Sequence, residues 1–163
     1  MALAAGQTQP PLRKDNTKPL LANGSVLNQK WRIEEHLAFG TFGEIYKVKN
    51  MEKLDDPAMA VKVESLEVRL QLYGMEVKVM KSLRKQREQK PCPNFLNLID
   101  NGRDGNLKVS YIIMPLCGKT LSDLRKRCDG QRLSHGTTLR LGYQMVEAVE
   151  FLHRTGFLHR DIK

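Results

Sequence analysis

The sequence predicts an α+β fold with a mostly antiparallel sheet, and three observations support this prediction. Segments that alternate apolar and polar residues, which are typical of strands, dominate the first part of the chain. Segments whose apolar residues recur every three or four positions, which are typical of amphipathic helices, dominate the last part. The predicted order is β-β-β-α-β-β-α-α, and strands that precede helices along the chain are typical of this fold class.

The first part of the chain is predicted to contain a leader and three strands. Residues 1–28 are rich in Pro, Gln, Thr, Asn and Lys and carry no periodic pattern, which predicts a disordered leader. Strands over 31–37 and 44–48, joined by a glycine-bearing turn, predict a hairpin. After a polar loop, residues 59–63 form a short apolar strand that carries one lysine, Lys62.

The middle of the chain is predicted to form a helix and two more strands. The pattern changes to a helical period over 68–87, and Pro91 and Pro93 end this helix. Its outer face is basic, and its apolar positions are Leu72, Met75, Val79 and Leu83. Strands are then predicted over 95–100 and 110–114, with Asn-Gly and Asp-Gly turn signals between them.

Two helices are predicted at the end of the chain. The first covers residues 121–127. Ser134 is suited to cap the second, longer helix, and Gly156 is suited to end it. One face of the longer helix is apolar and consists of Leu139, Tyr143, Val146, Val149 and Leu152.

Charge and cysteine content limit which partners and which cellular compartment we expect. Lys and Arg number 27 against 18 Asp and Glu, a net charge of +9, which favours anionic partners, although a basic face is most often simply solvated. Three cysteines without metal-ligand spacing fit a reduced compartment. We therefore expect a cytoplasmic protein, with the nucleus as the alternative. No run approaches the roughly 20 apolar residues of a membrane span, so no membrane partner is expected, and nucleic acid is not expected either.

Three motifs carry candidate chemistry, and each is weak by itself. Gly40 and Gly43 in the first turn would let backbone amides approach phosphates, although most glycine turns are only turns. Lys62 in an apolar strand needs an anion unless it points to solvent, and Glu76 in the next helix is the candidate partner. The third motif, His159-Arg-Asp-Ile-Lys163, follows the long helix.

In this order the motifs resemble those of the eukaryotic protein kinases, in which a glycine-rich loop precedes an Ala-x-Lys strand, a helix glutamate and His-Arg-Asp. The sequences of the motifs are most similar to those of the casein kinase 1 group, and within it to those of the tau-tubulin kinases. The resemblance covers residues from about 30 to 163 and rests on Phe42-Gly-Glu-Ile-Tyr46, Ala60-Val-Lys-Val-Glu64, Leu121-Ser-Asp-Leu-Arg125 and Gly156-Phe-Leu-His-Arg-Asp-Ile-Lys163.

The resemblance implies a kinase-like fold in two parts. Residues 29–117 would form an N-lobe, with a five-stranded antiparallel sheet and one packed helix, and the hinge. Residues 118–163 would begin a helical C-lobe that is incomplete here. The implied reaction is transfer of the ATP γ-phosphoryl group to serine or threonine of a protein, with ATP and Mg²⁺ as cofactors. Acidic or phosphorylated proteins are the candidate substrates.

The resemblance also assigns roles to individual residues. Asp161 would accept the proton of the substrate hydroxyl, and Lys163 would stabilise charge on the transferring phosphoryl group. Lys62 would contact the α- and β-phosphates while paired with Glu76. The residues expected around ATP are Ala38, Gly40, Phe42, Gly43, Ile45, Ala60, Lys62, Glu76, Met114, Leu116 and Cys117, of which Leu116 and Cys117 belong to the hinge.

Two departures from the kinase pattern leave other functions open. Ala38 stands where the family has its first loop glycine, and an alanine at positive φ would cost about 1 kcal/mol. The Asn and Asp-Phe-Gly that bind Mg²⁺ would lie beyond Lys163, so we expect a fragment without metal ligands and with little activity of its own. The alternatives are a catalytically inactive nucleotide-binding module and an interaction protein that docks phosphorylated proteins on its basic helix.

Overall fold

The computed structural model describes residues 18–40, 42–68, 71–92 and 94–162. Within these ranges six strands form one antiparallel sheet in the order β1-β2-β3-β4-β6-β5. The strands are β1 Val26–Leu27, β2 Trp31–Gly40, β3 Gly43–Asn50, β4 Met59–Ser65, β5 Asp100–Asp104 and β6 Val109–Pro115. The helices are α1 Tyr73–Gln89, α2 Leu121–Lys126 and α3 His135–Arg154, with a 3₁₀ turn at Asp129–Gln131 between α2 and α3.

The main core lies on the sheet, because its inner strands supply most of the buried apolar side chains. Strand β4 pairs with β3 on one side and with β6 on the other. Residues alternate between the two faces of a strand, and β3 shows this alternation along its whole length. The residues buried in this core are Leu21, Leu27, Trp31, Ile33, Tyr46, Val48, Val61, Val63, Val109, Tyr111 and Ile113.

Residues 18–28 pack on the sheet, although their composition predicts a disordered leader. We call this segment the N-terminal strap. Strand β1 pairs with β2, and Leu21 and Leu27 are 4% and 0% exposed. The prediction of disorder is wrong for the strap because its few leucines stand among polar residues and leave no periodic pattern. The strap also supplies the strand that raises the count from the predicted five to six. Residues 1–17 of the predicted leader lie outside the described residues.

The first residues of the strap contact a buried polar cluster in the β2–β3 hairpin. The Leu20 N–H donates to Glu44 Oε2 at 3.0 Å, and the Leu21 N–H donates to the Tyr46 hydroxyl oxygen at 3.0 Å. The Tyr46 hydroxyl donates to Glu44, and His36 Nε2 lies 3.4 Å from Glu44 Oε2. A buried carboxylate needs such partners because its desolvation is otherwise costly. The cluster therefore fastens the strap to the strands that carry the glycine turn.

Strand β5 does not lie where the sequence predicts it. Residues 95–99 are outside the strand, and the Asn101-Gly102 pair, which predicts a turn, lies inside it. Gly102 is needed there because a Cβ at this position would lie 2.8 Å from the Tyr111 hydroxyl oxygen on β6. The Asp-Gly signal is correct, since Asp104 Oδ1 accepts the N–H groups of Asn106 and Leu107 in the β5–β6 turn.

Helix α1 begins at Tyr73, five residues later than predicted, and ends two residues before Pro91. Its buried residues are Val77 and Leu83. Met75, predicted on the buried face, is 56% exposed because Val77 occupies the inward position in the first turns. The basic outer face is present, with Lys78, Lys81, Arg84 and Lys85 exposed. Pro93 lies outside the described residues.

Helix α3 has the predicted ends and a second, smaller core. The Ser134 hydroxyl accepts the Thr137 N–H at 3.2 Å, and Gly156 follows the helix with φ +85°. Its C-terminal half packs on α1 and the segment after it through Leu83, Cys92, Phe151 and Leu152. The N-terminal half of the predicted apolar face is exposed, at 75% for Leu139, 67% for Tyr143 and 70% for Val146. No described helix is long and apolar enough to cross a membrane.

Candidate active site

Lys62 lies on β4 between two fully buried valines and points to the opposite face of the sheet. Its ammonium donates to the Glu76 carboxylate on α1. The Lys62 side chain is 19% exposed and that of Glu76 is 34% exposed. A lysine with so little solvent exposure needs an anion beside its ammonium, because burying an unpaired charge is costly. The structure therefore brings together the two residues that the sequence predicts as partners, while the contact of Lys62 with phosphates stays a prediction.

Glu64 is a second carboxylate at the same ammonium, and the sequence reasoning assigned it no site role. Its Oε1 lies 3.5 Å from Lys62 Nζ, and its side chain is 3% exposed. Its Oε2 accepts the backbone N–H groups of Leu72 and Tyr73 at 3.0 and 2.9 Å. The sequence feature that could have identified Glu64 is its position two residues after Lys62 in an apolar strand. This spacing puts both side chains on one face of the strand.

The residues on either side of the glycine turn, Gly40 at the end of β2 and Gly43 at the start of β3, lie in extended strands. Gly40 pairs with Gly43, and Ala38 pairs with Ile45 on the neighbouring strand. Positive φ occurs at none of these positions, so the expectation of a strained alanine at position 38 is wrong. Phe42 at the tip is 42% exposed, and Thr41 lies outside the described residues.

Gly43 is required for a steric reason and not for an unusual φ angle. A Cβ at this position would lie 2.5 Å from the Val63 carbonyl oxygen and 3.2 Å from Glu64 Cγ. Only the missing side chain lets β3 pass this close to β4. The glycine turn and the Lys62 group are therefore neighbours in the sheet.

The residues predicted around adenine lie on adjacent positions of three strands. Ile45 on β3 pairs with Lys62, and Ala60 on β4 pairs with Met114 on β6. Ala60 is buried, and Ile45 and Met114 are half-buried, so they form an apolar surface beside the ammonium. Strand β6 ends at Pro115, and the predicted hinge residues Leu116 and Cys117 that follow are exposed. Their contacts with ATP stay predictions.

Asp161 lies in a second neighbourhood, after helix α3. It is exposed, and its backbone N–H donates to His159 Nδ1 at 3.2 Å. Its side chain lines a cavity of about 230 Å³ together with His159, Phe95 and Leu152. Lys163, the other predicted catalytic residue, lies outside the described residues.

The residues around Lys62 suit a nucleotide. Lys62 supplies a held cation for phosphates, and the apolar surface beside it suits a purine. Among the described residues no three His, Cys, Asp or Glu side chains are grouped so that they could hold a metal ion.

Comparison with known proteins gives the same family. The model of the family described as "Protein kinase domain" matches residues 31–163. A probable serine/threonine-protein kinase of Dictyostelium discoideum is 34% identical over 87% of this chain and 27% of its own length. A putative casein kinase I of Caenorhabditis elegans is 31% identical over 88% of this chain and 40% of its own length. The chain thus spans well under half of the curated relatives that it matches.

A solved structure confirms the predicted fold. The structure of vaccinia related kinase 3 aligns with a TM-score of 0.71 at 16% identity, over 90% of this chain and 46% of that one. The kinase-like fold with an antiparallel sheet in its first lobe is therefore present, with six strands in the described residues where five were predicted. The match across residues 31–163 decides the family. The chain belongs to the protein kinase domain family.

Proposed function

We propose that this chain carries the ATP-binding lobe of a serine/threonine protein kinase of the casein kinase 1 group, most similar to the tau-tubulin kinases. The observation that carries the proposal is the Lys62 ammonium, which Glu76 and Glu64 hold beside the glycine turn. The proposal is also supported by the family match, by a relative named as a putative casein kinase I, and by the sequences of the motifs.

Each residue of the site has a defined task in this proposal. ATP would supply the phosphoryl group that is transferred to a serine or threonine hydroxyl of an acidic or phosphorylated protein. Lys62, oriented by Glu76, would bind the α- and β-phosphates, and the apolar surface at Ala60 would cover adenine. Asp161 would accept the proton of the attacking hydroxyl, and Lys163 would stabilise negative charge.

Nucleotide binding is the first test, and calorimetric titration with ADP measures it. We expect Lys62→Met to weaken binding at least about tenfold, because an apolar side chain cannot contact the phosphates. Lys30→Met is the matched control. Lys30 also lies near two carboxylates, Glu52 and Asp100, but it precedes β2 at the end of the strand far from the glycine turn. Wild-type affinity in Lys62→Met would remove Lys62 from its proposed role.

Phosphoryl transfer is the second test. We expect residues 1–163 to show no transfer above background with ATP, Mg²⁺ and casein, because the kinase pattern places its Mg²⁺-binding Asn and Asp-Phe-Gly after the His-Arg-Asp motif, at positions that residues 1–163 do not include. Transfer by the purified chain that disappears in Asp161→Ala would contradict this expectation.

A second candidate function is a catalytically inactive module that docks phosphorylated proteins. The exposed lysines and arginine on the outer face of α1 favour it. Fluorescence anisotropy with a phosphoserine peptide and its unphosphorylated form would separate the two functions. Binding that prefers the phosphopeptide and is lost in Lys81→Glu, together with no binding of ADP, would support the docking module over the kinase.

A further inference from the structure

Glu64 is the one glutamate of β4 and is almost completely removed from solvent. It follows Lys62 by two residues on the same face of the strand, and its side chain is 3% exposed. A buried carboxylate is costly unless its oxygens receive hydrogen bonds or face a cation. Both occur here, since Oε2 accepts two backbone N–H groups and Oε1 faces the Lys62 ammonium at 3.5 Å.

The two N–H groups that Glu64 accepts belong to the start of helix α1. A helix begins with several N–H groups that have no partner within the helix, and a side chain at its N-cap position usually accepts one of them. The N-cap residue of α1 is Leu72, which makes no side-chain cap. Glu64 replaces this missing cap from a different element, and its negative charge also suits the positive end of the helix dipole.

The same first turn of α1 carries Glu76, the partner of Lys62. Glu76 follows Tyr73 by three residues, so any shift of the capped turn would move the Glu76 carboxylate as well. The residues of α1 that are buried are Val77 and Leu83, which lie further along the helix. Beside the Lys62–Glu76 pair, Glu64 therefore fastens the start of α1 to the strand that carries Lys62.

We infer that Glu64 is a positioning residue for the nucleotide site, acting through Glu76 and Lys62. By capping α1 it holds Glu76 at the distance at which the Lys62 ammonium is oriented toward a bound phosphate. Gly43 leaves the space that the Glu64 side chain occupies, because a Cβ there would lie 3.2 Å from Glu64 Cγ. This inference rests on the proposed function, since it concerns how tightly the same site binds a nucleotide.

Two substitutions separate capping from charge. Glu64→Ala removes both carboxylate contacts, and we expect ADP affinity to fall about tenfold. Glu64→Gln keeps the shape and one oxygen that can accept the helix N–H groups, so we expect a smaller fall of about threefold. Glu67→Gln is the control, because Glu67 is exposed and pairs with Lys108 away from Lys62. Should Glu64→Ala not fold, as judged by circular dichroism, Glu64→Gln carries the test.

Two further readouts test the cap and its coupling to Lys62, and the second of them separates a positioning role from a merely structural one. Hydrogen exchange of the Leu72 and Tyr73 amides should accelerate in Glu64→Ala and less in Glu64→Gln, with or without nucleotide. In a Lys62→Met background, Glu64→Gln should cause no further loss of ADP affinity, because the two residues act through one contact. Additive losses in this double-mutant cycle would overturn the inference.

The outcomes distinguish the inference from the proposed function. If the wild-type chain binds ADP and Lys62→Met weakens binding while both Glu64 variants bind like wild type, the inference fails and the proposed function stands. If the wild-type chain binds no ADP, the proposed function fails and the inference fails with it. Faster exchange at Leu72 and Tyr73 together with weaker ADP binding in Glu64→Ala would support both.

Discussion

The sheet and helix α3 differ in how completely their apolar residues are covered. In the sheet, residues of the strap and of strands β2, β3, β4 and β6 pack together in one core. In α3 only the last turns, which carry Phe151 and Leu152, are covered, and Leu139 at the other end is 75% exposed. Apolar burial is the main favourable term in folding, so the free energy of unfolding should depend on the sheet, whereas the exposed face of α3 should mainly influence association.

The largest contrast should come from one substitution placed in each region. Leu27→Ala removes a fully buried side chain of β1, and we expect it to lower the free energy of unfolding by about 2–5 kcal/mol. Leu139→Ala on α3 should change it by less than about 0.5 kcal/mol, because that side chain has little burial to lose. Urea unfolding measures both. Equal losses for the two variants would contradict the contrast.

Two glycine-to-alanine substitutions, one in each region, should change stability by smaller amounts and in opposite directions. Gly43→Ala places a Cβ 2.5 Å from the Val63 carbonyl oxygen, and we expect it to lower stability by about 1–3 kcal/mol. Gly142→Ala lies inside α3, where an added Cβ meets nothing within 4 Å. It should raise stability by about 0.5–1 kcal/mol through helix propensity. Thermal melts followed by circular dichroism would show whether the signs differ.

Acid should weaken the sheet through Asp104. Hydrogen bonds from the Asn28 and Leu107 N–H groups, the Asn28 bond being the stronger cause, hold the pKa of Asp104 below its ordinary value. A carboxyl group with a lowered pKa stabilises the folded state above its unfolded pKa, and this stability is lost as the pH falls through the folded pKa. This loss of stability should therefore begin near the ordinary pKa of Asp, about 4, and continue as the pH falls further.

Asp104→Asn isolates this acid effect. The variant should be less stable than wild type by about 1 kcal/mol at pH 7, because the charged acceptor is lost. The difference should narrow as the pH falls below about 4, where the wild-type carboxylate takes up a proton. Urea midpoints measured between these pH values test it, with Asp56→Asn in an exposed loop correcting for the general change in charge. A difference that widens on acidification would refute the assignment.

The smallest effect is expected at Ala38. Because Ala38 lies in extended backbone opposite Ile45, a glycine there would relieve no strain. We expect Ala38→Gly to lower stability by about 0.5–1 kcal/mol, the usual cost of glycine in a strand, and to change ADP affinity less than about twofold. Calorimetric titration beside a thermal melt checks both values. A clear gain of affinity would mean that the alanine restrains the hairpin.

Predictions from the sequence succeeded where one residue's environment determines its partner. A lysine inside an apolar strand requires an anion, and Glu76 was identified on that ground. The ends of α3 were predicted because Ser134 and Gly156 act locally, through the hydrogen bonds and backbone angles of their own turns. These features depend on few residues that are close in the chain or chemically constrained.

The failures concern features that only the tertiary structure determines. Asn101-Gly102 is a turn signal, yet it lies in β5, where the missing side chain of Gly102 leaves room for the Tyr111 ring on β6. Glu64 looked like an ordinary glutamate because the helix start that it caps is eight residues further along the chain. The strap was read as disordered because its buried leucines are too widely spaced to form a pattern. In each case the deciding contact joins two different elements of secondary structure.

The strap has a practical consequence for where this domain is taken to begin. Composition alone would set the boundary at residue 29, and a protein expressed from there would keep every strand from β2 onward. However, it would lack the Leu20 and Leu21 amides that donate to Glu44 and Tyr46. A cavity would also remain where Leu27 packs in the core. Such a protein would be prone to misfolding for reasons unrelated to its active site. Leu21, the first buried side chain among residues 18–40, is therefore a better guide to the extent of this domain than the first clear strand pattern.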